Sequence, residues 1–129
     1  MKGVEIHDLH PQGFLAFDLK DILRSLGNDA LERFWRCENI ECTGEATQEL
    51  ELVENARAWI SGLELLAIAE RATQVICGNF LGRRAGELSD SLRISAIDSS
   101  CWEVFADDPC LAKLRASFRN VRTTQHDAR

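Results

Sequence analysis

Between residues 75 and 105 the chain sets short apolar segments between turn signals, and this pattern restricts its fold more than any other feature. Val75-Ile76-Cys77, then Gly78-Asn79, then Phe80-Leu81-Gly82 has the length and the turn residues of a β-hairpin. Residues 84–91 hold Gly86, Ser89, Asp90 and Ser91 and read as a polar loop. Beyond it Leu92, Ile94 and Ala96 alternate with Arg93, Ser95 and Ile97, the period of a strand. Asp98-Ser99-Ser100 supplies another turn, and Trp102-Glu103-Val104-Phe105 a further strand. The expectation is a four-strand antiparallel meander, which a helical bundle cannot accommodate.

Helical spacing surrounds this block. Asp18 reads as an N-cap, because Leu19, Ile22, Leu23 and Leu26 follow on one face and Gly27-Asn28 gives a left-handed stop. Asp29 with Glu32 could open a helix, but Phe34, Trp35, Cys37, Ile40 and Cys42 suit a strand, with a bulge or turn at Glu38-Asn39 where the inward phase changes. Thr43 is the expected cap of a helix over residues 45–57, whose stripe is Ala46, Leu50, Val53 and Arg57. Ser61 and Glu64 match a capping box before Leu65, Leu66, Ile68 and Ala69. Asp108-Pro109 reads as N-cap and first position of a last helix, buried through Leu111, Leu114 and Phe118 and basic through Lys113, Arg115, Arg119 and Arg122. Residues 1–13 read as a loose lead-in, followed by a short strand over residues 14–17, and residues 123–129 as frayed. The simplest layer arrangement is a single α+β domain over residues 1–129, an antiparallel β-meander sheet with helices packed on one face.

Charge and cysteine content narrow the partners. The chain carries 15 Lys+Arg against 21 Asp+Glu, a net of −6, so phosphate backbones are repelled over most of its surface and nucleic acid is not expected as a partner. No stretch approaches the ~20 apolar residues of a membrane helix; the run around residues 63–69 is interrupted by Glu64 and closed by Glu70 and Arg71. Five cysteines cannot all pair within one chain, and the first residues have no apolar signal core, so a reducing cytoplasm is expected.

Several pieces carry a resemblance: Trp35-Arg36-Cys37, Glu41-Cys42-Thr43-Gly44, Ile60-Ser61-Gly62, Gln74-Val75-Ile76 with Gly78-Asn79-Phe80, and Ala96-Ile97-Asp98-Ser99-Ser100. Over most of residues 31–121 the chain resembles a family of short bacterial proteins known only as hypothetical. That family often has acidic residues where Cys77 and Asn79 stand here. The resemblance implies a free-standing bacterial cytosolic protein, implies that Cys77 is incidental, and implies no activity.

Templates for chemistry match poorly. His7 and His10 are three apart and Cys37 and Cys42 five apart, which is not the spacing of a structural zinc site, so neither metal nor cofactor is expected. Cys110, in the first turn of the last helix, is the best placed reactive thiol, because backbone amides there favour a thiolate. Asp98 with Ser99 and Ser100 offers an acid and hydroxyls but no nucleophile elbow, and Gly78 to Arg84 lacks phosphate-loop spacing. Asp98, Glu103, Asp107 and Asp108 could converge at one sheet edge to bind a hard cation or act as acid and base. What remains is an acidic helix (Glu45, Glu49, Glu51, Glu54) and a basic one (Arg115, Arg119 and neighbours), complementary across a dimer or toward another protein. The expected function is therefore a non-enzymatic protein-interaction or ligand-binding module, homodimeric in one version, with a small ligand as a further partner. The alternative is a small enzyme centred on Asp98 or Cys110.

Overall fold

The computed structural model describes residues 2–124. Seven strands are β1 (Lys2–Ile6), β2 (Phe34–Gly44), β3 (Ile60–Ser61), β4 (Ala72–Arg83), β5 (Leu92–Ile97), β6 (Cys101–Ala106) and β7 (Val121–Thr123). Five helices are α1 (Leu19–Leu26), α2 (Asn28–Leu31), α3 (Thr47–Ala56), α4 (Gly62–Arg71) and α5 (Asp108–Ser117). The strands form one sheet in the order β3-β2-β4-β5-β6-β1-β7, and every neighbouring pair is antiparallel. This is the α+β architecture read from the sequence, with the helices on one face of the sheet.

Local signals place the helices. Asp21 accepts the Asp18 backbone N–H at 2.9 Å, tying the first turn of α1, and Leu19, Ile22, Leu23 and Leu26 are all buried. Ser61 Oγ accepts the Glu64 N–H at 3.1 Å while Glu64 reaches back to Ser61, the expected capping box of α4. Gly62 is required at that point: a Cβ there would lie 2.5 Å from both Ala30 O and Leu31 Cα, so its absence lets α4 seat against α2. The helical stripes meet the inner face of the sheet, where Val4, Ile6, Trp35, Phe80, Ile94 and Val104 are fully buried. Trp35 keeps its polar atom satisfied by donating Nε1–H to Ala30 O at 2.8 Å.

Tertiary structure corrects several local expectations. The lead-in expected at residues 1–13 contains a strand: β1 (Lys2–Ile6) lies inside the sheet between β6 and β7, and the strand is not at residues 14–17, where only an isolated Leu9–Leu15 bridge forms. Gly78-Asn79 is no hairpin turn either. β4 runs unbroken through it, with Gly78 at φ 155° and a missing Cβ that Ile40 Cδ1 would meet at 2.5 Å. The meander is therefore three strands, β4-β5-β6. Ile40 crosses there because β2 shifts register between Glu38 and Glu41, with Asn39 at φ 55°, so the irregularity expected at Glu38-Asn39 is present.

Thr43 belongs to β2, and α3 begins at Thr47 after Ala46, whose fully buried side chain anchors that end. The cap of α5 is Asp107, which accepts the Cys110 N–H at 3.0 Å, one residue ahead of the Asp108 expected. Arg119 and Arg122 lie beyond α5, Arg122 in β7, so the last helix carries Lys113 and Arg115 alone of the four bases. Of the frayed segment expected at residues 123–129, Thr123 belongs to β7 and residues 125–129 lie outside the described residues.

Candidate metal centre

β1 and β6 pair with Gly3 opposite Phe105, Glu5 opposite Glu103 and Ile6 opposite Trp102. Side chains alternate along a strand, so Gly3, Glu5 and His7 share a face with Cys101, Glu103 and Phe105, the face turned away from the helices. The Phe105 ring covers Gly3 so closely that a Cβ there would lie 2.4 Å from it. His7 follows β1 directly and donates its backbone N–H to Asn120 O at 2.9 Å, which fixes it beside Cys101, the first residue of β6.

Glu5, His7 and Cys101 consequently present one ligand atom each, all within 4.8 Å of one another, with His7 Nε2 2.9 Å from Glu5 Oε1. Cys101 is buried and the other two are half-buried. Glu5 faces Glu103 on one side and Arg122 on the other. Carboxylates opposed across a ladder repel, and Arg122 opposite Glu5 on the other side offsets that repulsion. Burial, then Glu5, then Glu103 push the Cys101 thiol above its ordinary value near 9, against the lowering effects of a Ser100 hydrogen bond and Arg122. The thiol stays protonated at neutral pH, and a metal ion bound there would have to displace that proton.

The donors suit a borderline-soft divalent ion. Thiolate and imidazole select zinc-class metals over magnesium or calcium, and a carboxylate is a common third ligand. Tetrahedral zinc with ligand bonds of roughly 2.0–2.3 Å holds its ligand atoms about 3.3–3.8 Å apart. The widest gap here must close by about 1 Å and the His7–Glu5 contact must open by about half that, movements within side-chain adjustment on two paired strands. Three protein ligands leave a fourth position. Glu103 lies on the same face opposite Glu5, with Oε2 accepting the Thr124 hydroxyl at 3.3 Å.

The residues singled out from the sequence go elsewhere. Asp98 sits in the β5–β6 turn at φ 46°, beside Ser99 at φ 59°; Ser99 N–H donates to Ile76 O and the Ser100 hydroxyl to Ile97 O, so that turn's polar groups shape the backbone. Cys110 and the Asp107–Asp108 pair lie past the other end of β6, whose six residues span about 17 Å. The four acids therefore do not converge, and Asp98 and Cys110 do not share a site. Burial and the Asp107 carboxylate push the Cys110 thiol up to about 12, outweighing the helix-terminus effect expected from its position. Burial likewise pushes Cys37 up to about 12.

Among the interaction-face residues, Glu49 pairs with Arg71 and Arg115 donates to the Thr123 hydroxyl at 3.4 Å. Glu45 adds its charge near Arg71, and the Arg119 backbone N–H donates to Asp8 at 2.8 Å. A groove of about 570 Å³ between α5 and the 84–91 loop holds buried Arg33, but its basic side chains already have partners. Lys2 pairs with Asp108, Arg84 with Asp29, and Arg33 Nε donates to Ser91 Oγ.

Reading residues 1–13 as a lead-in hides Glu5 and His7. The alternation of Val4 and Ile6 with Glu5 and His7 is the signal that exposes them as one face of a strand. No sequence pattern joins them to Cys101, more than ninety residues away. No family model matches the chain, and no curated protein or solved structure shows significant similarity to it.

Proposed function

We propose that this chain is a small binding module whose ligand at the β1–β6 site is a divalent transition-metal ion of the zinc class, held by Glu5, His7 and Cys101. The observation that carries the reading is the convergence of an imidazole, a thiol and a carboxylate within 4.8 Å on a face with two opposed glutamates. The role is binding rather than catalysis, because Asp98 and Cys110 stand at opposite ends of β6 and the Cys110 thiol is held protonated. Five free thiols fit a reducing compartment, so a bacterial cytoplasm is the setting proposed.

The test is titration of the reduced, chelator-stripped protein with Zn²⁺ against a chromophoric competitor, and with Co²⁺ as a spectroscopic substitute. One equivalent should bind, with a thiolate-to-cobalt charge-transfer band that disappears in Cys101→Ser and weakens in His7→Ala. Absence of binding at micromolar metal, or an unchanged band in Cys101→Ser, would end the reading.

A second reading keeps a protein partner or a second copy of the chain. It is favoured by Arg115 and Arg119, which form no ion pair among the described residues and lie exposed, while Glu45 is exposed on the acidic side. Light scattering over a salt series tests it. A dimer that dissociates as salt rises supports complementary faces, and a monomer at every salt concentration removes the dimer.

A further inference from the structure

A second cavity, distant in character from the metal ligands, lies where the start of β4 meets the N-terminus of α1. It encloses about 250 Å³ and is walled by Phe14, Phe17, Val75 and Trp102, with Asp18 and Gln74 as its main polar groups. That volume corresponds to roughly eight water molecules at ~30 Å³ each, so the space suits a compact organic molecule and not a nucleotide.

Among the described residues, Asp18 is the only one lining the cavity that carries a charge. Both its carboxylate oxygens accept from the Val75 backbone N–H, at 3.1 and 3.3 Å, which tethers α1 to β4. A carboxylate offers about four lone-pair directions; the shared Val75 N–H engages one on each oxygen and the Leu19 amide a third, which leaves about one for a ligand. The charged groups acting on Asp18 are Asp21 and Lys20, both on α1. The aromatic wall is partly open to solvent: Phe14 is 54% exposed and stacks on His10 at 4.4 Å, while Phe17 packs on Phe118 at 5.0 Å.

We propose that this cavity binds a small organic ammonium, a primary amine with a compact apolar or aromatic body, its cation against the Asp18 carboxylate and its body against Phe14, Phe17 and Trp102. Three features single out that class. Among the described residues the cavity's one charge is negative and no basic side chain lines it, and aromatic faces attract cations as well as apolar groups. A carboxylate or phosphate ligand would meet only repulsion there. Burial pushes the Asp18 carboxyl up to about 6, so its ionised form lacks full solvation and gains from a cationic partner.

The experiment is calorimetric titration of the whole chain at pH 7.5, with EDTA present so that the metal site makes no contribution. The probes are 2-phenylethylamine, its neutral analogue 2-phenylethanol, and 3-phenylpropanoate. The amine should bind at least tenfold more tightly than the alcohol, and the acid should not bind. Asp18→Asn should reduce the amine to the affinity of the alcohol, with a thermal melt checking that the variant is folded. Phe14→Ala, at an exposed position, should weaken the amine several-fold. At pH 5 the preference for the amine should shrink as Asp18 takes up a proton. Equal binding of amine and alcohol, amine binding that survives Asp18→Asn, or no saturation by the amine at 10 mM would each overturn the proposal. None of these outcomes depends on whether zinc binds.

Discussion

Zinc should raise the thermal stability of this chain by an amount that can be worked out beforehand. A ligand that binds only the folded state stabilises it by about 2.7 kcal/mol when free ligand is a hundredfold above its dissociation constant. Unfolding entropy is about 2.1 cal/mol/K per residue near 60 °C, so the 129 residues give roughly 0.27 kcal/mol/K. The quotient is a rise in Tm of about 10 °C. The sign of the pH dependence follows from Cys101. Its thiol is held above the ordinary value near 9, first by burial and then by Glu5 and Glu103, so it is protonated throughout the working range and binding must release that proton. Each unit of pH lowered then costs about 1.4 kcal/mol of binding free energy, and the shift should fall from about 10 °C at pH 7.5 to about 5 °C at pH 6.5. Without zinc the raised thiol leaves stability unchanged below about pH 8 and lowers it above the unfolded thiol value. Differential scanning fluorimetry of the reduced protein at both pH values, with Cys101→Ser and His7→Ala alongside, checks the whole chain of reasoning. A shift of the same size in Cys101→Ser, or one independent of pH, would refute it.

Other outcomes follow from the same geometry. Burial raises Asp18 from near 3.8 to about 6, so the folded state holds its proton more tightly and the contribution of Asp18 to stability falls as pH rises between those values; relative to the unaltered chain, Asp18→Asn should gain stability progressively in melts from pH 4 to 7. Gly62→Ala should destabilise by about 1–3 kcal/mol despite alanine's better helix propensity, because its Cβ would sit 2.5 Å from the backbone of α2, and urea melts measure this. Native alkylation at pH 7.5, followed by mass spectrometry, should label half-buried Cys42 and Cys77 long before Cys37 and Cys110, whose thiols burial holds at about 12.

The division between what was readable in the chain and what was not follows the range of the interactions involved. Helix starts at Asp18 and Ser61, the strand alternation of residues 92–97 and the turn at Asp98-Ser99-Ser100 depend on bonds between residues a few places apart, so residue type and spacing reveal them. Gly78-Asn79 shows the limit. The same dipeptide serves a turn or a strand crossing, and the approach of Ile40 from β2 selects the crossing. Asp107 in place of Asp108 as the cap of α5 is a shift of one residue that local preference cannot resolve, since both are aspartates.

Residue order alone is enough to point to an antiparallel α+β fold with its helices on one face, because alternation and capping are written into neighbouring residues. That the first strand enters the sheet between β6 and β7 emerges at the level of the folded molecule, since strand pairing is a choice among distant segments settled by which register buries Val4 and Ile6. The same register brings Glu5 and His7 beside Cys101. Neighbouring residues cannot specify that meeting, because it arises from backbone bonds between strands separated by most of the chain.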